Sequence, residues 1–125
     1  MEVRKYTKED YPTLVKWWAG HPGWLPVEEN LLSTCGFIVD EVCAGFLYFT
    51  NSKAAILEWI ISDPTATKER RSKGLDLLID EATYVAKTEG YAVIWTWAEH
   101  PKLKSRLLNH MFVNAGDCTT YLRRV

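Results

Sequence analysis

The stretch Ala55–Glu81, AILEWIISDPTATKERRSKGLDLLIDE, decides how the chain is read. An apolar run rich in Ile and Trp stops at Asp63-Pro64, and four cations follow within six residues: Lys68, Arg70, Arg71 and Lys73. From Gly74 the apolar positions Leu75, Leu78, Ile79, Ala82, Val85 and Ala86 recur at helical spacing. The expectation is a buried strand, then a basic loop, then a helix opening at Gly74. A helix N-terminus directs unpaired N–H groups and the positive end of its dipole at an anion, so the pattern suits a phosphorylated ligand.

Outward from that stretch, composition limits the choices. The chain has 125 residues, enough for a single domain over residues 1–125. A hydrophobic share of 47% with six Trp, six Tyr and four Phe implies a packed core. The net charge of −1 gives no global attraction to nucleic acid or to an anionic membrane, so neither is expected as a partner. The basic character is local, at 68–73, with a lesser patch at Lys102, Lys104 and Arg106. Cys35, Cys43 and Cys118 lie at no metal-ligand spacing, which predicts reduced thiols, no metal and a cytoplasmic setting. No apolar run is long enough for a membrane span.

Along the chain, Glu2–Tyr6 reads as a strand, and Thr7-Lys8-Glu9-Asp10 with Pro12 starts a helix running to about Ala19. Gly20-His21-Pro22-Gly23 breaks it, and a short second helix is expected around Val27–Leu32. Gly36–Asp40, Cys43–Phe49 and Ala55–Ser62 read as a meander of three strands. The helix from Gly74 ends near Glu89 before Gly90, Tyr91–Trp97 reads as a central strand, and Pro101 opens a helix to about His110. Thr119–Arg123 is expected to form a last strand. The predicted order is β-α-α-β-β-β-α-β-α-β, an α/β (α+β) domain with a mixed central sheet flanked by helices.

This order resembles the GNAT family of acyl-CoA-dependent N-acetyltransferases over nearly the whole chain. Val3–Asp10 looks like the family's opening. Glu58, Pro64 and Arg71-Ser72-Lys73-Gly74-Leu75-Asp76 look like its acidic strand residue, its proline and its Arg-x-x-Gly-x-Gly/Ala motif. Ala98-Glu99-His100-Pro101 is similar to the turn after the fifth strand, and Met111-Phe112 falls where Gly-Phe is common. The cofactor motif diverges: Asp76 stands where Gly or Ala is usual, and two extra residues separate Pro64 from Arg71. Leu107 stands where many members have a thiolate-protonating Tyr, and the chain is short after Phe112. Small chains of this kind are often encoded by phages.

The resemblance implies acetyl transfer from acetyl-CoA to a primary amine, on a small molecule or a peptide, by direct attack in a ternary complex. The alternative is a non-catalytic binding or adaptor protein on the same scaffold. Glu58, the only acid in the run Ala54–Ser62, is the candidate base, placed by alternation on one face with Ile60 and Ser62. The other reading of Glu58 is a strand residue paired with Lys53 or an Arg. Arg70, Arg71, Ser72, Lys73 and Gly74 are the pyrophosphate candidates, against a solvated charged segment capping a helix. The resemblance further implies that backbone N–H groups of Ile60, Ile61 and Ser62 meet the thioester carbonyl. It places His100 beside the pantetheine arm as a second catalytic candidate, and Trp24 in the loop that lines the acceptor pocket. Trp59, Trp95 and Trp97 are expected in the sheet core. A shortened last hairpin would leave a sheet edge that a second subunit of a homodimer could cover.

Overall fold

The computed structural model describes residues 1–125. Strand β1, Val3–Lys5, leads through a 3-10 turn at Lys8–Asp10 into helix α1, Tyr11–Ala19. The start chemistry is as expected: the Asp10 carboxylate accepts the Thr7 N–H at 2.8 Å, and Arg4 clamps the same carboxylate at 2.7 and 2.9 Å. Strands β2 (Gly36–Val39), β3 (Cys43–Phe49) and β4 (Ala54–Ser62) form the meander. Helix α2 spans Lys68–Thr88, strand β5 spans Val93–Trp95 and helix α3 spans Pro101–Asn109.

The sheet has the order β1-β2-β3-β4-β5, antiparallel through β4, with β5 parallel to β4. Side-chain alternation supplies two cores. Phe37, Val39, Leu47, Ala55 and Leu57 face α2 and meet Leu78, Ala82 and Ala86, whereas Ile38, Ala44, Phe46 and Ile61 face α1 and meet Leu14, Trp17 and Trp18. The expected α/β domain with a mixed sheet between helices is the observed one.

Three expectations are corrected. Residues Val27–Leu32 form only a 3-10 turn, Glu29–Leu31. The Val27 and Leu31 carbonyls there accept hydroxyl hydrogens from Tyr11 and Tyr48, both at 2.7 Å, so the segment is pinned from outside. Thr119–Arg123 forms no strand; an Arg124–Glu28 ion pair ties the end of the chain to the α1 side. The third correction matters most: α2 starts at Lys68, capped by the Thr67 hydroxyl accepting the Arg70 N–H at 3.2 Å, rather than at Gly74.

Two backbone positions carry strain that the sequence hides. The β2–β3 turn places Asp40 and Glu41 at φ 47° and 55°, closed by Val42 N–H to Val39 O at 2.8 Å. Arg70 donates to both the Asp40 carbonyl and its carboxylate, and Arg4 donates to Glu41, so two arginines hold a turn made without Gly or Asn. Helix α3 ends with Phe112 N–H on Leu107 O and Met111 N–H on Leu108 O, and Met111 sits at φ 73°. That is the Schellman arrangement, whose left-handed position favours glycine. The Met111 side chain is 91% exposed, so its removal sacrifices no packing. Met111→Gly is expected to stabilise the fold by about 1 kcal/mol, read as a raised Tm in thermal denaturation; an unchanged or lowered Tm would refute the assignment of strain there.

Candidate functional site

Strand β4 carries the first half of the site. Its register to β3 pairs Glu58 with Phe46, Ile61 with Ala44 and Ser62 with Cys43, leaving Trp59 and Ile60 opposite the single residue Gly45. This is a β-bulge, and Trp59 occupies it at φ 58°. A bulky residue in the left-handed region costs about 1–2 kcal/mol. The Glu58 carboxylate offsets part of that cost by accepting the Trp59 N–H at 3.1 Å.

One inserted residue reverses the alternation beyond it. Glu58 therefore shares the α1 face with Trp59 and Ile61, while Ile60 packs on the α2 core and Ser62 pairs with Cys43 of that core. The expectation that Glu58 lies on one face with Ile60 and Ser62 is corrected accordingly. Glu58 is half-buried and forms no ion pair, since Lys53 instead reaches the Gly90 carbonyl at 3.4 Å. Burial raises its carboxyl above the usual range, only partly countered by the Trp59 N–H.

The other edge of β4 opens where this bulge lies. Parallel pairing to β5 covers Ala54–Val93, Ala55–Ile94 and Ile56–Trp95 and then ends. From Leu57 to Ser62 the backbone groups facing away from β3 have no strand partner. Thr96, the first residue of the β5 chain past the last pair, has a buried hydroxyl without a partner. Orphaned polar groups on both arms of this opening are what a ligand bearing amides would satisfy.

The basic stretch forms the second half, in different form from the one expected. Because the helix already begins at Lys68, Gly74 lies in its interior, where its N–H is engaged within the helix. Gly74 is buried against the sheet: a Cβ would stand 2.9 Å from Val42 Cγ1 and 3.1 Å from Cys43 Sγ. Its role is close helix–sheet packing, and the pyrophosphate role is withdrawn. Arg70 is committed to Asp40, at 2.9 Å. Ser72 accepts Arg106 on both its hydroxyl, at 3.1 Å, and its carbonyl, at 3.0 Å. Lys68, Arg71 and Lys73 remain, with no ion pair or side-chain hydrogen bond; Arg71 is half-buried and one turn before Gly74 and Leu75, on the sheet side of the helix.

Asp76 is engaged between α2 and α3. Its carboxylate takes Arg106 at 2.7 Å and His110 Nε2 at 2.8 Å, joining α2 to α3, and Asp80 meets the other His110 nitrogen at 3.0 Å. Burial alone would push the Asp76 carboxyl up; the His110 and Arg106 hydrogen bonds outweigh it and hold it below the usual range. The carboxylate that stands where Gly or Ala is usual is thus engaged in an interhelical cluster.

His100 is the N-cap of α3, its Nδ1 accepting the Lys102 N–H at 3.1 Å, and it is exposed. That is a structural task, and the catalytic one is withdrawn. A different histidine approaches β4: His21 Nε2 lies 3.0 Å from the Ser62 carbonyl, and its ring packs against Trp24 with centroids 4.9 Å apart and planes tilted by 31°. Trp24 is 50% exposed. His21 carries no sequence signal beyond its place in a turn. Trp95 and Trp97, expected in the core, are 59% and 39% exposed because α1 does not reach across β5. A cavity of about 890 Å³ lies between β5, α3 and residues 111–118; Trp95, Thr96, Trp97 and Leu107 line it, whereas Glu58, Trp24, His100 and the basic stretch do not. It marks where the sheet ends at β5.

No family model matches this chain, and no curated protein matches it in sequence. Solved structures do match in fold. The ribosomal-protein-S18-alanine N-acetyltransferase of Escherichia coli superposes with a TM-score of 0.70 at 16% identity, covering 92% of this chain and 79% of that one. AAC(6')-Iy, solved in complex with the bisubstrate analogue CoA-S-monomethyl-acetylneamine, gives 0.60 at 15% identity, covering 99% and 98%. A transcriptional regulator of Bacillus halodurans C-125 gives 0.68 at 12% identity, covering 98% and 99%. The fold is GNAT-like. No helix is long and apolar enough to cross a membrane.

The raised Glu58 carboxyl has a thermodynamic consequence. The folded state binds its proton more tightly than the unfolded state, so this group's stabilising contribution is full below the ordinary carboxylate range and is lost as pH rises through the raised value. Glu58→Gln, which still offers an oxygen to the Trp59 N–H, is expected to raise Tm at pH 8 relative to wild type, with the gain shrinking towards pH 4. Equal gains at both pH values would contradict the burial argument.

Proposed function

We propose that the protein is an acetyltransferase that moves an acetyl group from acetyl-CoA to a primary amine by direct attack in a ternary complex. The observation that carries this reading is the opening between β4 and β5, where pairing ends at Ile56–Trp95 while the bulged strand continues with a half-buried carboxylate beside it. Support comes from the shared fold, in one case with a CoA-containing analogue bound. The residues present fit such a ligand. Lys68, Arg71 and Lys73 are unpaired cations at a helix start, where the N–H groups of Lys68 and Glu69 lie ahead of the first intrahelical bonds. Amide groups of a ligand arm match the unpaired β4 edge and the orphaned Thr96 hydroxyl.

Acetyl-CoA, when bound, supplies the acyl group already activated as a thioester. Glu58 takes the proton that the acceptor ammonium must lose, a task suited to a carboxyl shifted towards neutrality. Backbone N–H groups among Ile60, Ile61 and Ser62 are the donors for charge developing on the carbonyl oxygen. No side chain is assigned to the leaving thiolate, which can take its proton from water given a free thiol pKa of about 8.5. A second reading, a binding or adaptor protein without turnover, is favoured by Leu107 being buried in the core rather than offering an acid, and by the regulator named among the fold's relatives.

Thermal-shift titration with acetyl-CoA, CoA and desulfo-CoA tests the site without knowledge of the acceptor. A ligand a hundredfold above its Kd adds about 2.7 kcal/mol, roughly 10 °C for a domain of this size. Arg71→Glu and Lys73→Glu are each expected to weaken the shift at least tenfold in apparent Kd. Gly74→Trp is unsuitable as a test because it would break helix–sheet packing. Absence of any shift at millimolar acetyl-CoA would end the acyl-CoA reading.

A further inference from the structure

The α1 face of the sheet is covered over β2–β4 and bare over β5. In-register rows put Val93 beside Ala54 and Trp95 beside Ile56, and Trp97 follows two residues past the end of β5. Glu58 is the next outward-facing residue on that face of β4, two positions beyond Ile56. Glu58 and Trp97 thus stand on opposite arms of the opening, with Trp95 and Val93 continuing the apolar strip below. Trp95 is 59% and Trp97 39% exposed, and both line the open cavity that α3 and residues 111–118 border on its far side.

Indole faces attract ammonium groups and stack on flat apolar bodies, an interaction that strengthens with desolvation. A polyamine or amino sugar would need several carboxylates or a dense set of hydroxyl partners. This face of the β4–β5 pair offers one carboxylate and two exposed indoles. Resting on the acyl-transfer reading above, we infer that the acceptor is an organic monocation with a flat apolar body, of the arylalkylamine class. Its ammonium meets Glu58 while its ring stacks on Trp95 and Trp97, which set specificity without touching the acyl group.

Binding and turnover separate this inference from the reading it rests on. Calorimetric titration of 2-phenylethylamine, spermidine and glucosamine, without acetyl-CoA, measures recognition; thiol release with acetyl-CoA measures transfer. The expected result is at least tenfold tighter binding, and where turnover occurs a tenfold lower KM, for 2-phenylethylamine. Trp95→Ala and Trp97→Ala should each remove most of that preference while kcat, where measurable, changes less than threefold. Tyr84→Ala, an exposed aromatic on α2, should leave it intact. Preference in binding without turnover supports the site and overturns acyl transfer. Turnover with no preference, binding unaffected by either Trp substitution, or no amine binding at all overturns the site, as would a dimer in sedimentation that buries the two indoles.

Discussion

Strand β4 keeps an antiparallel partner along its whole length and a parallel partner along only its first three residues. The bulge at Trp59 lies in the part with one free edge, where an extra residue distorts only one ladder. Its consequences spread in both directions. It rotates Ile61 onto the α1 face that Glu58 already occupies and lets the Glu58 carboxylate close on the Trp59 N–H. It also strengthens local twist, which opposes continued parallel pairing beyond Trp95. A strained indole, a carboxylate with a raised proton affinity and an unpaired strand edge are thus linked results of one insertion.

Helix α2 answers a different requirement, close approach to the sheet at one end and attachment to α3 along its side. Gly74 permits the approach over Val42 and Cys43; the Asp76, Asp80, Arg106 and His110 cluster makes the attachment, with Ser72 as a further acceptor. Both ring nitrogens of His110 face carboxylates, Nδ1 that of Asp80 and Nε2 that of Asp76. These commitments sort the basic stretch by function. Arg70 holds a turn, whereas Lys68, Arg71 and Lys73 make no side-chain pairing.

Much of the fold was legible because apolar spacing reports directly on burial. The strand at Cys43–Phe49 is found at its expected bounds, and the strand ending at Ser62 differs by one residue at its start. The start of α2 was misplaced because Gly74 reads as a helix opener, although Thr67 supplied a capping residue seven positions earlier. Trp95 and Trp97 read as core because residue type reports what a side chain prefers, not whether another element exists to cover it. For the same reason the tail's β-prone residues did not become a strand: a strand needs a partner edge at pairing distance.

Residue order alone determined an α/β domain, two helix–sheet cores, a lone acid in a buried strand and a cluster of cations after it, since each follows from local periodicity and composition. Tertiary structure decided which charges are spent and which are free. Asp76, a departure from the cofactor motif, is an interhelical anchor, and His100 is a cap while His21 arrives at Ser62 from a turn far away in sequence. Pairings across thirty or more residues have no local signature, because they depend on how the sheet twists and on which elements it brings together.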